Sequence, residues 1–305
     1  MILTLTCDGP LDVDKTLARY TLWGIDPANR IEPGRFRRAV RVGGRPYAYH
    51  VEWSGAPEAT RLRVMLGGRP SQAVASAAER DVRRIFGLDA DLPGFYRMAK
   101  ADPALSGLIE PLYGMRPTLT PEPLEMLVGS VCAQQVNLTF AVALRGRLVR
   151  RYGTPVASGD DALYCFPEAS ALARARTRDL RAMQFSERKA EYIVGIAQAI
   201  SRGDVDLARL DAADNEETIA CLTGFRGFGR WTADWFLARC LGRGDVCPAG
   251  DLAVRKAFAH FYHRGGPVTE LGIRRRARRW GPYQNLAVHY LLAGLRLSTT
   301  AGGGT

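Results

Sequence analysis

The spacing of apolar residues changes once along the chain, and that change divides it. Leu3, Leu5 and Cys7 alternate with polar neighbours, as do Tyr47, Tyr49, Val51 and Trp53, and again Leu62, Val64 and Leu66. A period of two places these side chains on one face of a sheet and predicts strands. The run from Gly43 to Pro46 sits where one hairpin must turn. From Ser71 the period becomes helical: Val74, Ala78, Val82 and Ile85 form one stripe, and Gly87 is a stop signal. Residues 89–120, rich in proline and glycine, read as a connecting segment. Beyond them, Phe140, Leu144 and Leu148, and then Ala190, Ile193, Ala197 and Ile200, keep helical intervals, while strand patterns are scarce. The expected fold is therefore α+β. A small antiparallel sheet domain with helices spans 1–88, an all-helical body spans 121–297, and 298–305 form a flexible tail.

A chain of 305 residues with 47% hydrophobic content can bury a sizeable core, and its length suggests about two domains. The formal net charge of +11 points to an acidic partner, of which DNA is the simplest. Arg274, Arg275, Arg276, Arg278 and Arg279 crowd one predicted helix, and Arg145, Arg147, Arg150 and Arg151 another. The six cysteines show neither paired C-x-x-C spacing nor the clustering of a small secreted scaffold, which predicts reduced thiols in the cytoplasm. No apolar run reaches about 18 residues, and no leader pattern opens the chain, so a soluble protein with no membrane partner is expected. His260 and His263 lie three apart without a supporting carboxylate or thiol set, so they read as ordinary helix residues rather than metal ligands.

The most informative stretch is LTGFRGFGRWTADWF, from Leu222 to Phe236. Gly227 and Gly229 flank Phe228 between two helix-compatible segments, an arrangement that lets backbone amides approach an anion without interference from Cβ atoms. A helix beginning near Arg230 would aim its positive dipole end at the same anion, and a phosphate is the natural guest. Ile219, Leu222 and Phe225 before the turn, and Ala233, Phe236 and Leu237 after it, supply facing apolar surfaces. A G-x-G alone is equally the mark of a plain tight turn. Asp251, 22 residues after Gly229, changes the balance. Pro248 and Gly250 end one segment, and Asp251 precedes an apolar run of Leu252, Val254, Ala257 and Phe258. It reads as a helix cap, and also as an anion able to face developing positive charge.

At these residues the chain resembles the HhH-GPD superfamily of helix-hairpin-helix DNA glycosylases, and within it the 3-methyladenine DNA glycosylase II type. The resemblance rests on FRGFGRWTADWF and PAGDLAVRKAF, on EMLVGSVCAQQVNLTFA from Glu125 to Ala141, and on WGPYQNLAVHYLL, which ends at Leu292. It implies two helical lobes with a cleft between them, following an N-terminal sheet domain. It implies that Asp251 is catalytic, that Trp231, Trp235 and Tyr283 line a base pocket, and that Gly227, Phe228, Gly229, Arg230 and Thr232 contact DNA. For both tryptophans core packing is the alternative, and Trp280 reads as structural. Gln134 and Gln135 would be further DNA contacts, with Gln135, Val136 or Leu138 as the wedge that fills the hole left by a flipped nucleotide.

Members that also cut the strand carry a lysine where Trp231 stands, and tryptophan cannot form a Schiff base. No lysine lies between Lys189 and Lys256. The resemblance thus favours a monofunctional hydrolase acting as a monomer on damaged double-stranded DNA. It removes alkylated, and on the same reading deaminated, purines. An oxidised-base glycosylase with lyase activity and a non-catalytic DNA-binding module are the alternatives. Some relatives hold an iron-sulfur cluster through cysteines after the catalytic aspartate; none follows Cys247, so no such cofactor is expected. A monovalent cation bridging the hairpin carbonyls to phosphate is left open.

Overall fold

The computed structural model describes residues 1–156 and 162–301. Five strands, β1 (Ile2–Leu5), β2 (Arg30–Glu32), β3 (Arg35–Val42), β4 (Arg45–Ser54) and β5 (Arg61–Leu66), form one antiparallel sheet in the order β1-β5-β4-β3-β2. Register follows the alternation: Val51 lies opposite Phe36 on one side and Val64 on the other, and all three are fully buried. Val42 pairs with Arg45, so the β3–β4 turn has two residues, Gly43 and Gly44. Their φ values of 56° and 74° are the left-handed conformation that such a turn demands and that glycine adopts without strain. Helix α1 (Val13–Leu17) precedes β2, and α2 (Gln72–Ile85), capped by Ser71, lays Val74, Ala78, Val82 and Ile85 on the sheet.

The helical body contains α3 (Leu92–Ala99), α4 (Pro123–Ala133), α5 (Leu138–Tyr152), α6 (Ala169–Ala173), α7 (Thr177–Ala182) and α8 (Glu187–Arg202). After these come α9 (Asn215–Thr223), α10 (Arg230–Phe236), α11 (Leu252–His263), α12 (Glu270–Ala277) and α13 (Gln284–Ala301). Three expectations need correction. Residues 89–120 are no mere connection, because Leu92, Phe95, Ala99, Leu105, Leu112 and Met115 enter the same core as the later helices. The body is not all-helical: β6 (Thr154–Val156) and β7 (Leu163–Cys165) form an antiparallel ribbon that packs against β3. Each strand has three residues, too few for alternation to register. Third, α13 continues through Ala301, so the start of the expected tail is helical; 302–305 lie outside the described residues.

An ion network joins the sheet domain to α4 and α5. Arg38 on β3 donates from Nε to Asp81 at 2.9 Å and from Nη2 to Glu125 at 2.7 Å. Arg145 donates to Glu125 at 2.7 Å and to Asp26 at 3.0 Å. Arg145 therefore belongs to the interior and not to a basic surface, whereas Arg150 and Arg151 are exposed. Despite burial, the two guanidinium partners hold the Glu125 carboxyl down at about 2, and Glu125 and Asp26 hold Arg145 above its ordinary range. All six cysteines are free thiols; burial pushes Cys132, Cys240 and Cys247 up to about 12. Among the described residues no helix is long and apolar enough to cross a membrane.

Candidate active site

Helix α9 opens with a capping box in which Asp214 and Glu217 satisfy each other's backbone amides. It closes at Gly224, and the chain turns through Gly227 and Phe228 into α10. At Gly227 the φ is 92°, and a Cβ would lie 2.3 Å from the Tyr192 ring, so both conformation and space require glycine. Gly229 forms the N-terminal boundary of α10 in an extended conformation, faces open space, and no side chain caps the helix. The amides at this end are thus left for an external acceptor. The neighbouring side chains do not share that role. Phe228 and Thr232 are 3% and 1% exposed, and packing of α9 and α10 against the rest of the body draws them into the interior. This burial leaves the backbone as the part of these two residues available for the main-chain contacts expected of the turn. Arg230 remains about half exposed and donates to buried Asp234 at 2.8 Å.

Trp231 and Trp235 lie four apart on α10 and present their indole edges to Asp251 at the start of α11. Oδ2 of Asp251 accepts from Trp231 Nε1 at 2.7 Å and from Trp235 Nε1 at 3.0 Å. Oδ1 accepts from the amides of Ala253 at 2.8 Å and Val254 at 3.1 Å. The cap and the catalytic candidate are therefore one residue, with four donors fixing its plane. Trp235 is 7% exposed, and Arg239 lies over its ring with the guanidinium carbon 4.5 Å from the centroid. The tryptophans orient the carboxylate, a function that no spacing in the sequence announces.

Tyr283 is tied to another element. Its hydroxyl donates to Asp91 at 2.6 Å at the start of α3, and its ring packs 6.3 Å from that of Phe95. Leu252, placed by periodicity in the buried stripe of α11, is 65% exposed directly beside Asp251. The signal lay in the sequence: Val254, Ala257 and Phe258 complete the stripe without it. Trp280 is 3% exposed and donates to Asp102 at 3.0 Å, the structural placement expected of it.

Between α4 and α5, Gln134 reaches back and donates from Nε2 to the Gly227 carbonyl at 2.8 Å. Gln135 follows, exposed and in a left-handed conformation with φ 55°, while Val136 packs against the core and Leu138 is 44% exposed. Gln135 and Leu138 thus face outward, and Val136 does not. Arg226, which sequence reading passed over, sits exposed at the hairpin and pairs with Glu191, 3.1 Å away. Arg274 on α12 is engaged with Asp234 and Glu270, whereas Arg275 on the same helix and Arg278 and Arg279 just after it are exposed.

A glycine hairpin with an uncapped helix end, an aspartate that accepts four hydrogen bonds and a glutamine bonded to the hairpin carbonyl define a helix-hairpin-helix protein carrying a fixed carboxylate. Residues 128–284 match the model of the HhH-GPD superfamily base excision DNA repair protein, and residues 2–119 match the AlkA N-terminal domain. The chain belongs to the HhH-GPD superfamily and is a glycosylase of base excision repair. It is 32% identical over 206 residues to the DNA-3-methyladenine glycosylase of Bacillus subtilis, a match covering 68% of each chain. It is 28% identical to DNA-3-methyladenine glycosylase 2 of Escherichia coli over 55% of this chain and 56% of that one. The solved 3-methyladenine DNA-glycosylase from Archaeoglobus fulgidus superposes with a TM-score of 0.86 at 28% identity, covering 97% of this chain and 98% of that one. The family and the α+β fold expected from the sequence are both borne out.

Proposed function

We propose that the protein extrudes an alkylated purine from double-stranded DNA and hydrolyses its N-glycosidic bond without cutting the strand. The observation that carries this reading is the Asp251 carboxylate, held by Trp231, Trp235 and two helix amides, with an indole where strand cleavage needs an amine. As the bond from C1′ to the base nitrogen breaks, positive charge develops on the sugar, and a carboxylate held in place lowers that barrier electrostatically. Each Asp251 oxygen already accepts two hydrogen bonds, which suits it to act as a fixed counter-charge more than as a proton acceptor. Water then adds to C1′ and leaves an abasic site.

The hairpin amides at Gly229 and Arg230 supply the phosphate grip, which positions DNA without reading its sequence. Exposed Gln135 or Leu138 fills the space vacated by the flipped nucleotide. Among the described residues no lysine donates to Asp251: Lys189 is buried on the Cys132 carbonyl at 2.9 Å, and Lys256 is exposed on α11. Asp251→Asn should slow base release from alkylated duplex DNA about 10²- to 10³-fold while DNA affinity persists. Full release by this variant would sink the catalytic assignment, and a covalent adduct trapped by borohydride would establish the lyase alternative.

A further inference from the structure

On the stripe of α10 next to the two tryptophans, Arg230 and Asp234 also lie four apart. The Asp234 side chain is 2% exposed, and guanidinium groups engage both of its oxygens. Oδ1 accepts from Arg230 Nε at 2.8 Å, and Oδ2 accepts from Arg274 Nη2 at 2.7 Å. A carboxylate this deep costs free energy to keep charged unless it is paired, so it fixes where the two arginines sit. Arg230 is the first residue of α10, whereas Arg274 comes from the middle of α12.

Arg274 spends the rest of its guanidinium on two further anchors. Nε and Nη2 donate to Glu270 on its own helix at 3.1 and 2.8 Å, and Nη1 donates to the Cys247 carbonyl at 3.3 Å. Cys247, 3% exposed, opens the short run through Pro248, Ala249 and Gly250 that ends at Asp251. Glu270 stands close over the same run, since a Cβ added at Gly250 would lie 3.4 Å from Glu270 Oε2. Every nitrogen of one fork is thus occupied, and it joins α10, α12 and the segment that delivers Asp251. A cleft of about 320 Å³ opens among α9, α10 and α12, with Asp234, Cys247 and Arg274 in its wall. Apolar packing is interrupted there, which leaves polar contacts to hold the spacing.

We propose that Arg274 is a positioning residue for base release: by tying Asp234 of α10 to the Cys247 carbonyl, it keeps the Trp235 indole and the Asp251 carboxylate in register. This rests on the catalytic reading of Asp251 above and adds to it a residue from α12. Trp235 directly follows Asp234, and Asp251 lies four residues after Cys247, so movement at either end of the tie is felt in the 3.0 Å bond from Trp235 Nε1 to Asp251 Oδ2. A displacement of about 1 Å at a reacting group can cost about 10²-fold in rate. Arginine suits the task because a planar fork meets several acceptors at once, whereas lysine offers a single point of charge.

The test is single-turnover release of 3-methyladenine from methylated duplex DNA by the full chain, with DNA affinity and thermal melting measured on the same variants. Arg274→Gln should slow release at saturating DNA about 30-fold and leave DNA affinity within about threefold of wild type. Arg274→Lys, which returns a charge to Asp234 without the fork, should recover the melting temperature more fully than the rate, and provides the reading if Arg274→Gln does not fold. In an Asp251→Asn background, Arg274→Gln should cost less than about threefold, because the group it positions is gone. An unchanged rate at saturation in a folded variant, or an equal loss with and without Asp251, would overturn the inference and leave Arg274 to stability alone. Full release by Asp251→Asn would instead overturn the catalytic reading itself.

Discussion

Two groups of charge sit where the sheet domain meets the helical body, and they are built to opposite rules. Around Glu125, each guanidinium meets a carboxylate: Arg38 has Asp81 and Glu125, and Arg145 has Glu125 and Asp26. Around Arg239, cations face cations and a neutral imidazole across a small void. The consequences diverge: Arg38 is held well above its ordinary range by its acids, while Arg239 is pushed well below by burial and by other cations. The first group completes its compensation within the protein and serves as scaffold. The second has no carboxylate among the described residues that line it.

The same substitution made in both groups is the hardest test of that contrast. Arg38→Met strands Asp81 and Glu125 without their shared partner and should destabilise by about 3–5 kcal/mol, seen as a lowered urea midpoint. Arg239→Met relieves repulsion, keeps cover over Trp235, and should stay within about 1 kcal/mol of wild type. Equal losses would erase the distinction.

A smaller effect concerns pH. The Glu125 carboxyl sits at about 2 in the fold against 4.5 ordinarily, so its contribution to stability is fully present above about 4.5 and is lost as pH falls toward 2. Asp81, raised by burial, acts in the opposite direction and regains stability as pH falls. Glu125→Gln should therefore lose about 1.5–3 kcal/mol near neutrality and show a shallower acid limb than wild type. Parallel limbs in urea titrations across that range would remove Glu125 from the network's energetics.

The smallest effect probes whether the basic recess and the carboxylate are coupled through Trp235. Trp235→Phe keeps an aromatic face for Arg239 but deletes one donor to Asp251, and should slow base release about tenfold, or about 1.4 kcal/mol, with DNA affinity intact. An unchanged single-turnover rate would reduce that indole to packing.

What the sequence made legible was local. Alternation at Tyr49 and Val51, the stripe of α2, the glycine hairpin and the cap at Asp251 all depend on neighbours within a turn or a hairpin, and periodicity reports those directly. The resemblance then supplied the roles. What stayed hidden depends on how distant segments meet. Phe228 and Thr232 look available beside two glycines, but the packing of α9 and α10 buries them. Arg145 reads as one of a basic run until Asp26 and Glu125 arrive from two other segments. The direction of the two indole N–H bonds is a matter of rotamer, and spacing carries no trace of it. Arg19, Arg239, His289 and Arg296 lie far apart in the chain and form a unit only in space.

The bond from Gln134 to the Gly227 carbonyl joins the two parts that would touch DNA on either side of an extruded nucleotide. Lys189 anchors the same end of α4 from α8 through the Cys132 carbonyl. The glutamine loop and the hairpin turn are in this way tied to each other by a 2.8 Å contact, which would fix their spacing on any duplex that they both touch. A duplex whose backbone resisted that spacing would not seat both together. The enzyme would thus gauge how readily a site bends before it samples the base, so that lesions which weaken stacking declare themselves first through the backbone.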